Sequence, residues 1–464
     1  MADLDSIDAR ISADCPDDVQ TILRAAWHHD SAALRGLLNG PGKASCRDPT
    51  TGETPLHAAI RSTGQTENAG EVADGDAIPA AKTVVEQLLL NGAIWNDVDD
   101  HNETPGCVAW RLHRPALYEL LVRAGTRAEM LFAILDGYEA LGSEGDEDEG
   151  IEDEKEKEEV EDTEQVGEKD TNGAETNGDA AADKERTPAK EPTMTTESAP
   201  VAAAADETPY LETSLTLADG KLVDAAGNGV MMAWETDIMR RSVDALLGEP
   251  GPDDSGGQGK RILNIGFGLG IVDSMFAARR PARHHIIEAH PAVLARIDHP
   301  TTTTTTATGA VADHDHAAAF GAAWENSGPE PGAFRVHRGR WQDICPALLA
   351  QGELYDAVYF DTFGEDYSAL RQFFTDYIPG LLADDGVFGF FHGLGADRRV
   401  CYDVYTRVVA LHLAEAGLDV AWRDVAVPLA DAGLDRAGAG AWQGIVRPYW
   451  TLDNYRLPVC TFMG

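Results

Sequence analysis

Between Lys260 and His290 the chain reads KRILNIGFGLGIVDSMFAARRPARHHIIEAH, and this stretch restricts the fold more than any other. The apolar run Ile262-Leu263-Asn264-Ile265 enters a turn containing Gly266, Gly268 and Gly270. A helix-like segment follows, and a second apolar run, Ile286-Ile287, closes on Glu288. Strand, turn, helix and strand in that order open a parallel α/β sheet. Glycines let the turn bend sharply and bring its backbone against a ligand, because no Cβ intervenes. A carboxylate ending the second strand can accept both hydroxyls of a ribose. The pattern implies a nucleoside-containing cofactor held between the turn and Glu288. Its spacing, G-x-G-x-G, brings the third glycine one residue earlier than the dinucleotide fingerprint does. Such a turn leaves little room for a pyrophosphate and suits S-adenosylmethionine better than NAD. A glycine-rich turn without any ligand is the structural alternative.

The sequence on either side extends the sheet. YLETSLTLADGKLVDAAGNG, from Tyr210, alternates apolar and polar residues around glycine turns and predicts a hairpin. VMMAWETDIMRRSVDALL then enters an amphipathic helix, with Glu235 following Trp234 in an apolar patch. A carboxylate there needs a partner; a nearby arginine, Arg240 or Arg241, is favoured over a cationic substrate. FRVHRGRWQD (334–343) predicts the third strand and the turn after it. There Trp341-Gln342 offers an adenine ring a flat face and an edge contact, core packing of Trp341 being the alternative. YDAVYFDTFGED (355–366) predicts the fourth strand, ending at Asp361, which strand topology sets at the cleft beside the glycine turn. GVFGFFHGLG, DVAWRDVAV and YWTLDNYRLPVCTF (449–462) supply the fifth to seventh strands, the last antiparallel.

Residues 17–135 carry a partial repeat: TGETPLHAAI (51–60) is echoed by HNETPGCVAW (101–110), each followed by a leucine-rich run. Thr-Pro-Leu-His before a helix resembles the ankyrin repeat, whose period of about 33 residues would be lengthened here by an insertion in 63–80. Such repeats bury one face and leave another for a partner, so this region is either a docking surface or a stabilising appendage. His57 sits in the repeat's turn and receives a structural role. From Ser143 to about Ala205 large apolar residues are nearly absent, which predicts a disordered linker. Residues 300–332, with six consecutive threonines, read as a surface insertion; His314 and His316 there lack an evident third ligand, so no metal is expected.

The 464 residues carry a formal net charge of −42, concentrated between Glu144 and Glu197, where 22 acidic face 6 basic side chains. So acidic a chain repels nucleic acid, and none is expected as a direct partner. Six scattered cysteines without C-x-x-C pairs argue against a zinc site or a disulfide framework and suit a reducing compartment. No apolar run reaches membrane-spanning length, and the acidic MADLDSIDAR, without an apolar h-region, leads us to expect no secretory signal.

Taken together, VMMAWETDIM, LNIGFGLGIVD, IIEAHP, GRWQDI and YFDTF, in this order across 210–464, resemble the fungal protein-arginine N5-methyltransferases (type IV, delta-nitrogen). That enzyme domain is in turn similar to guanidinoacetate N-methyltransferase. The resemblance implies a class I (Rossmann-like) seven-stranded α/β methyltransferase sheet at 208–464, an α-helical ankyrin-like domain at 1–140 and an acidic linker at 141–207. It implies S-adenosylmethionine held by Gly266, Phe267, Gly268, Leu269, Gly270 and Ile271, by Glu288, Ala289 and His290, by Trp341 and Gln342, and by Tyr210 and Met231. Glu235 and Asp361 would face the guanidinium as catalytic residues, Asp361 also touching the cofactor. The expected reaction is methylation of the arginine delta nitrogen in a protein, a ribosomal one by resemblance, in a monomeric enzyme of cytoplasm and nucleus. A small-molecule guanidino methyltransferase and an ankyrin scaffold with a silent enzyme domain are the rival readings. An NAD oxidoreductase is disfavoured by the glycine spacing. Nucleic-acid amino-methylation is disfavoured because Asp361-Thr362-Phe363 lacks the Pro-Pro-aromatic turn of such enzymes.

Overall fold

The computed structural model describes residues 5–64, 77–142, 207–218, 220–249, 259–299 and 316–464. Residues 143–206 of the acidic linker, residues 65–76 of the insertion expected at 63–80 and the threonine run with His314 lie outside the described residues. The described residues up to 133 and from 207 onward pack as one unit.

Ten strands occur among the described residues: β1 (Thr216–Ala218), β2 (Lys221–Val223), β3 (Gly229–Met232), β4 (Arg261–Ile265), β5 (Arg283–Glu288), β6 (Phe334–Arg338), β7 (Tyr355–Phe360), β8 (Leu382–Phe390), β9 (Leu418–Ala426) and β10 (Asn454–Phe462). The first three form a small antiparallel sheet. The other seven form one sheet in the order β6-β5-β4-β7-β8-β10-β9. Its first five members run parallel, and β10 lies antiparallel between β8 and β9. This is the seven-stranded sheet expected from the sequence. Central strands covered on both faces must be apolar throughout, and Ile262, Leu263 and Ile265 of β4 are fully buried. The exception, Asn264, is equally buried; its Nδ2 donates to the Gly266 carbonyl and to Asp273 Oδ2, both at 2.8 Å.

Three local expectations need correction. Tyr210 lies on a short helix, Glu207–Glu212, ahead of the small sheet rather than in its hairpin. Trp341 and Gln342 open the helix Trp341–Ala350 instead of ending a turn. The last strand starts at Asn454, so Tyr449 precedes it and is free to serve elsewhere.

The N-terminal region is built of helices: Asp17–Trp27, Ser31–Leu37, Pro55–Arg61, Ala77–Leu90, Pro105–Arg111 and Pro115–Gly142. The two echoed motifs start helices by the same device. Thr54 and Thr104 hydroxyls accept from the amides of His57 and Cys107, with proline in the first turn, where it loses no hydrogen bond. His57 joins the two motifs, one ring nitrogen on Thr54 Oγ1 at 2.8 Å and the other on the Glu103 carbonyl at 3.0 Å. Burial pushes its pKa down to about 3, so the ring stays neutral in the structural role expected of it. Arg10 and Arg61 stitch the same turns through Glu53 and Asp99.

The N-terminal helices share their core with the sheet domain. Val400, Cys401, Val404 and Val408, on one side of the helix Arg399–Glu415, belong to the apolar cluster of the N-terminal helices. Val409 and Leu413, on its other side, pack with the sheet. Polar contacts surround the seam: Tyr118 donates to Asp403, Arg407 Nη2 reaches Glu119 Oε2 at 2.7 Å, and Arg398 Nη2 donates to Asn102 Oδ1 at 2.6 Å. A helix buried on both sides cannot lose one neighbour without exposing valines to water. At Gly106 a Cβ would lie 2.5 Å from Val400 Cγ2. Gly106→Ala is therefore expected to lower stability by about 1–3 kcal/mol through overpacking, despite the better helix propensity of alanine. Urea unfolding followed by tryptophan fluorescence and circular dichroism checks this, with Val400→Ala in the same chain recovering part of the loss.

Candidate active site

The glycine turn follows β4, where the parallel register pairs Ile265 with Phe360 of β7 and so sets Gly266 beside Asp361. Gly266, Gly268 and Gly270 have φ of 90°, 55° and 73°, a left-handed region that costs other residues energy. At Gly266 the need is absolute: a Cβ there would lie 1.9 Å from the Asp361 carbonyl oxygen. At Gly268 it would meet the Met231 thioether, which accepts from the Leu269 amide at 3.2 Å. Met231, on β3, thus lies against the turn.

Glu288 ends β5 as expected, and its carboxylate already accepts backbone amides. Phe267 N–H donates to Oε2 at 2.9 Å and His290 N–H to Oε1 at 2.6 Å, with Gly268 N–H at 3.4 Å. Burial raises the Glu288 pKa while these amides lower it. Two carboxylate oxygens offer about four acceptor positions, so capacity remains for a hydroxyl.

One cavity is lined by Tyr210, Met231, Gly266, Gly268, Glu288, Ala289, His290, Trp341, Gln342 and Asp361. Ten of the residues singled out from sequence therefore meet in one place. The side chains of Phe267, Leu269 and Ile271 do not: all three are buried in the core behind the turn. Gly270 caps the helix Ile271–Ala278. Trp341 is a core residue that also reaches the cavity. Its ring is packed edge-on against Phe360, Phe373 and Tyr377 in the sheet's core, and it also borders the cavity. Tyr210 packs between His290 and Phe363, with ring centroids 4.9 Å from each.

A second cavity of about 520 Å³ adjoins the first and shares Val230, Asp361, Thr362, Phe363 and Glu365 with it. Glu235 and Asp361 both line this second space, along with Tyr449, Phe391 and Arg398. The arginine expected to neutralise Glu235 is not there. Arg240 and Arg241 both pair with Asp237, three and four residues away on the exposed helix face, at 2.5 and 2.8 Å. Glu235 is instead 4% exposed, with Tyr449 donating its hydroxyl to Oε1. Tyr449 in turn accepts from Trp234 Nε1 at 3.2 Å. Sequence reading gave Tyr449 no site role: it stands 214 residues from Glu235, and no local pattern connects them. Glu365, bordering both cavities, carried no sequence signal either.

Among the described residues no cationic side chain pairs with Glu235 or Asp361, and Asp361 Oδ2 is buried without a hydrogen-bond partner. Burial raises the Glu235 pKa well above the carboxylate range, and the nearby Asp361 adds to it. Burial also pushes Asp361 up to about 7, with help from Asp273. Two acids confined together in low dielectric resist ionising unless a cation joins them. The fitting cation is planar and offers several N–H donors, the description of a guanidinium.

Comparison with known proteins agrees with this chemistry. The chain is 53% identical to the Neurospora crassa protein named protein arginine N-methyltransferase 2, over 100% of both chains. It is 50% identical to the Gibberella zeae protein of that name, covering 97% of this chain and 94% of that one. With the Aspergillus fumigatus protein so named it shares 41% identity over 96% of each. The chain belongs to this fungal protein arginine N-methyltransferase 2 family. No protein-family model matches it. Among solved structures, Aeropyrum pernix fibrillarin with bound S-adenosyl-L-methionine covers 54% of this chain and 82% of its own, at 13% identity and a TM-score of 0.28. Spermidine synthase from Thermotoga maritima covers 54% and 72%, at 10% identity and a TM-score of 0.31. Likenesses this loose add nothing to the argument.

An acid whose pKa is raised by folding favours the fold while protonated in both states, below the ordinary Asp range. That contribution disappears as pH rises through the folded-state pKa. Relative to Asp361→Asn, the ligand-free protein is therefore expected to lose stability as pH rises from about 4 to about 7 and to level off above that, given the folded value of Asp361. Thermal unfolding of both proteins across this range measures it; a constant difference in Tm would mean that Asp361 ionises without penalty.

Proposed function

We propose that this protein transfers a methyl group from S-adenosylmethionine to the delta nitrogen of arginine side chains in a protein substrate. The observation that carries the reading is the meeting of Glu235 and Asp361 in one cavity beside the glycine turn, whose arginines, Arg398 and Arg447, pair with Asp397 and not with either acid. The residues fit the cofactor. Gly266 and Gly268 line the first cavity with bare backbone, Glu288 keeps acceptor capacity for a ribose, and Tyr210, His290 and Trp341 give aromatic walls. When bound, S-adenosylmethionine supplies an electrophilic methyl group on a sulfonium.

The chain's own residues do the rest. Glu235 and Asp361 pair with the guanidinium and fix its plane, so that positioning provides much of the acceleration. Arginine nitrogens are poor nucleophiles because their lone pairs are delocalised. A carboxylate that accepts the proton shed by the methylated nitrogen keeps the reaction going forward. With a cation between them the two acids ionise at neutral pH, and Tyr449 holds Glu235 in place by its hydroxyl.

The delta-nitrogen assignment and a ribosomal protein as target rest on the resemblance to the type IV enzymes. A protein substrate rather than a small guanidine is favoured by the cavity's outer wall, where Arg398 is held by Asn102 of the N-terminal helices. Those helices are read as an ankyrin-like stack that helps to receive the substrate. Deleting them would strip the helix Arg399–Glu415, so point substitutions are the appropriate tests.

Glu235→Ala and Asp361→Ala are each expected to lower methyl transfer by at least about 100-fold. Calorimetric affinity for S-adenosylmethionine should persist in Glu235→Ala. Near-normal turnover in that variant would remove Glu235 from the mechanism. Fragmentation mass spectrometry of the methylated protein separates delta from terminal substitution. A terminal-nitrogen product would overturn the N5 assignment and leave arginine methylation standing.

A further inference from the structure

Three donors from two elements converge on the carboxylate of Glu365. Trp341 Nε1 donates to Oε1 at 2.6 Å, Gln342 Nε2 donates to the same oxygen at 3.0 Å, and the Thr362 hydroxyl donates to Oε2. Trp341 and Gln342 begin the helix Trp341–Ala350 and border the first cavity. Thr362 follows Asp361 in the loop that separates the two cavities, and Glu365 borders both. The loop is pinned elsewhere as well. Gly364, at φ 85°, passes so close to Tyr210 that a Cβ would lie 2.9 Å from its ring, and Asp366 accepts the Ser368 amide at 2.8 Å.

We infer that Glu365 is a positioning residue that ties the adenine-side wall to the loop bearing Asp361, so that donor and acceptor cavities keep one fixed geometry. The inference rests on the methyltransferase reading above and adds a residue to it. Side chains that must be held to within fractions of an ångström are held by the groups behind them. The chemistry requires acceptors more than charge. A glutamine could accept from Trp341 and Gln342 through its oxygen and donate to the Thr362 hydroxyl through its nitrogen. An alanine would leave three donors without their acceptor.

The test is titration calorimetry of the full chain with S-adenosylmethionine, combined with steady-state methylation kinetics. Glu365→Ala should weaken cofactor affinity by about 10- to 100-fold and lower kcat, and Glu365→Gln should restore most of both. Thr362→Val, which removes only the loop's half of the clip, should lower kcat and keep the cofactor affinity. If Glu365→Ala binds the cofactor as the parent does, the inference is overturned. It is equally overturned if Glu365→Gln is as damaged as Glu365→Ala, with the loss in KM for the arginine substrate; Glu365 would then be a third acid facing the guanidinium. A parent protein that does not bind S-adenosylmethionine contradicts the methyltransferase reading itself, an outcome that the variants cannot mimic.

Discussion

Two carboxylates share one cavity in this protein, and among the described residues neither has a cationic side chain as its partner. Removing one charge from water costs several kcal/mol even after relaxation, and a second of the same sign nearby raises the cost. Burial shifts both Glu235 and Asp361 towards the protonated form, and Tyr449 donates a hydrogen bond to Glu235. A stable core would gain nothing from such a pair. Its cost is offset only when a ligand with several N–H donors and a positive charge enters, and this ties the local energetics to the proposed reaction.

The rest of the chain holds those acids against a second, glycine-walled space. Parallel pairing of β4 with β7 brings Gly266 against the Asp361 backbone, leaving no room for any other residue. The turn after β3 delivers Glu235 from the opposite side, while Met231 on the same strand lies against Gly268. The N-terminal region reaches this arrangement through the helix Arg399–Glu415, whose valines it buries, and through Asn102, which accepts from Arg398 at the wall of the second cavity. They are part of the folded unit and not a tethered module.

Much of this was readable before any coordinates. The glycine turn, Glu288 and Asp361 follow from strand ends and from the rule that ligands gather at the carboxyl edge of a parallel sheet. The capping threonines at 54 and 104 follow from local chemistry. At Glu235 the sequence misleads because neighbours along the chain need not be neighbours in space. Arg240 and Arg241 are near Glu235 along the chain, yet a helix turns them outward, where Asp237 at three and four residues' distance takes both. Tyr449, the actual partner, comes from the far end of the chain. The second buried side of Arg399–Glu415 was hidden too, because a core helix covered by one neighbour or by two has similar composition.

The central claim is that the paired acids are held neutral until a guanidinium arrives. Titration calorimetry of N-acetyl-arginine methylamide in buffers of different ionisation enthalpy measures the protons exchanged on binding. At about pH 6 the account predicts net release of between about one and two protons, falling towards zero as pH rises past the raised pKa values and absent in the Glu235→Gln/Asp361→Asn double variant. Binding heats that are independent of buffer at every pH would show that the acids were already ionised, and would contradict it.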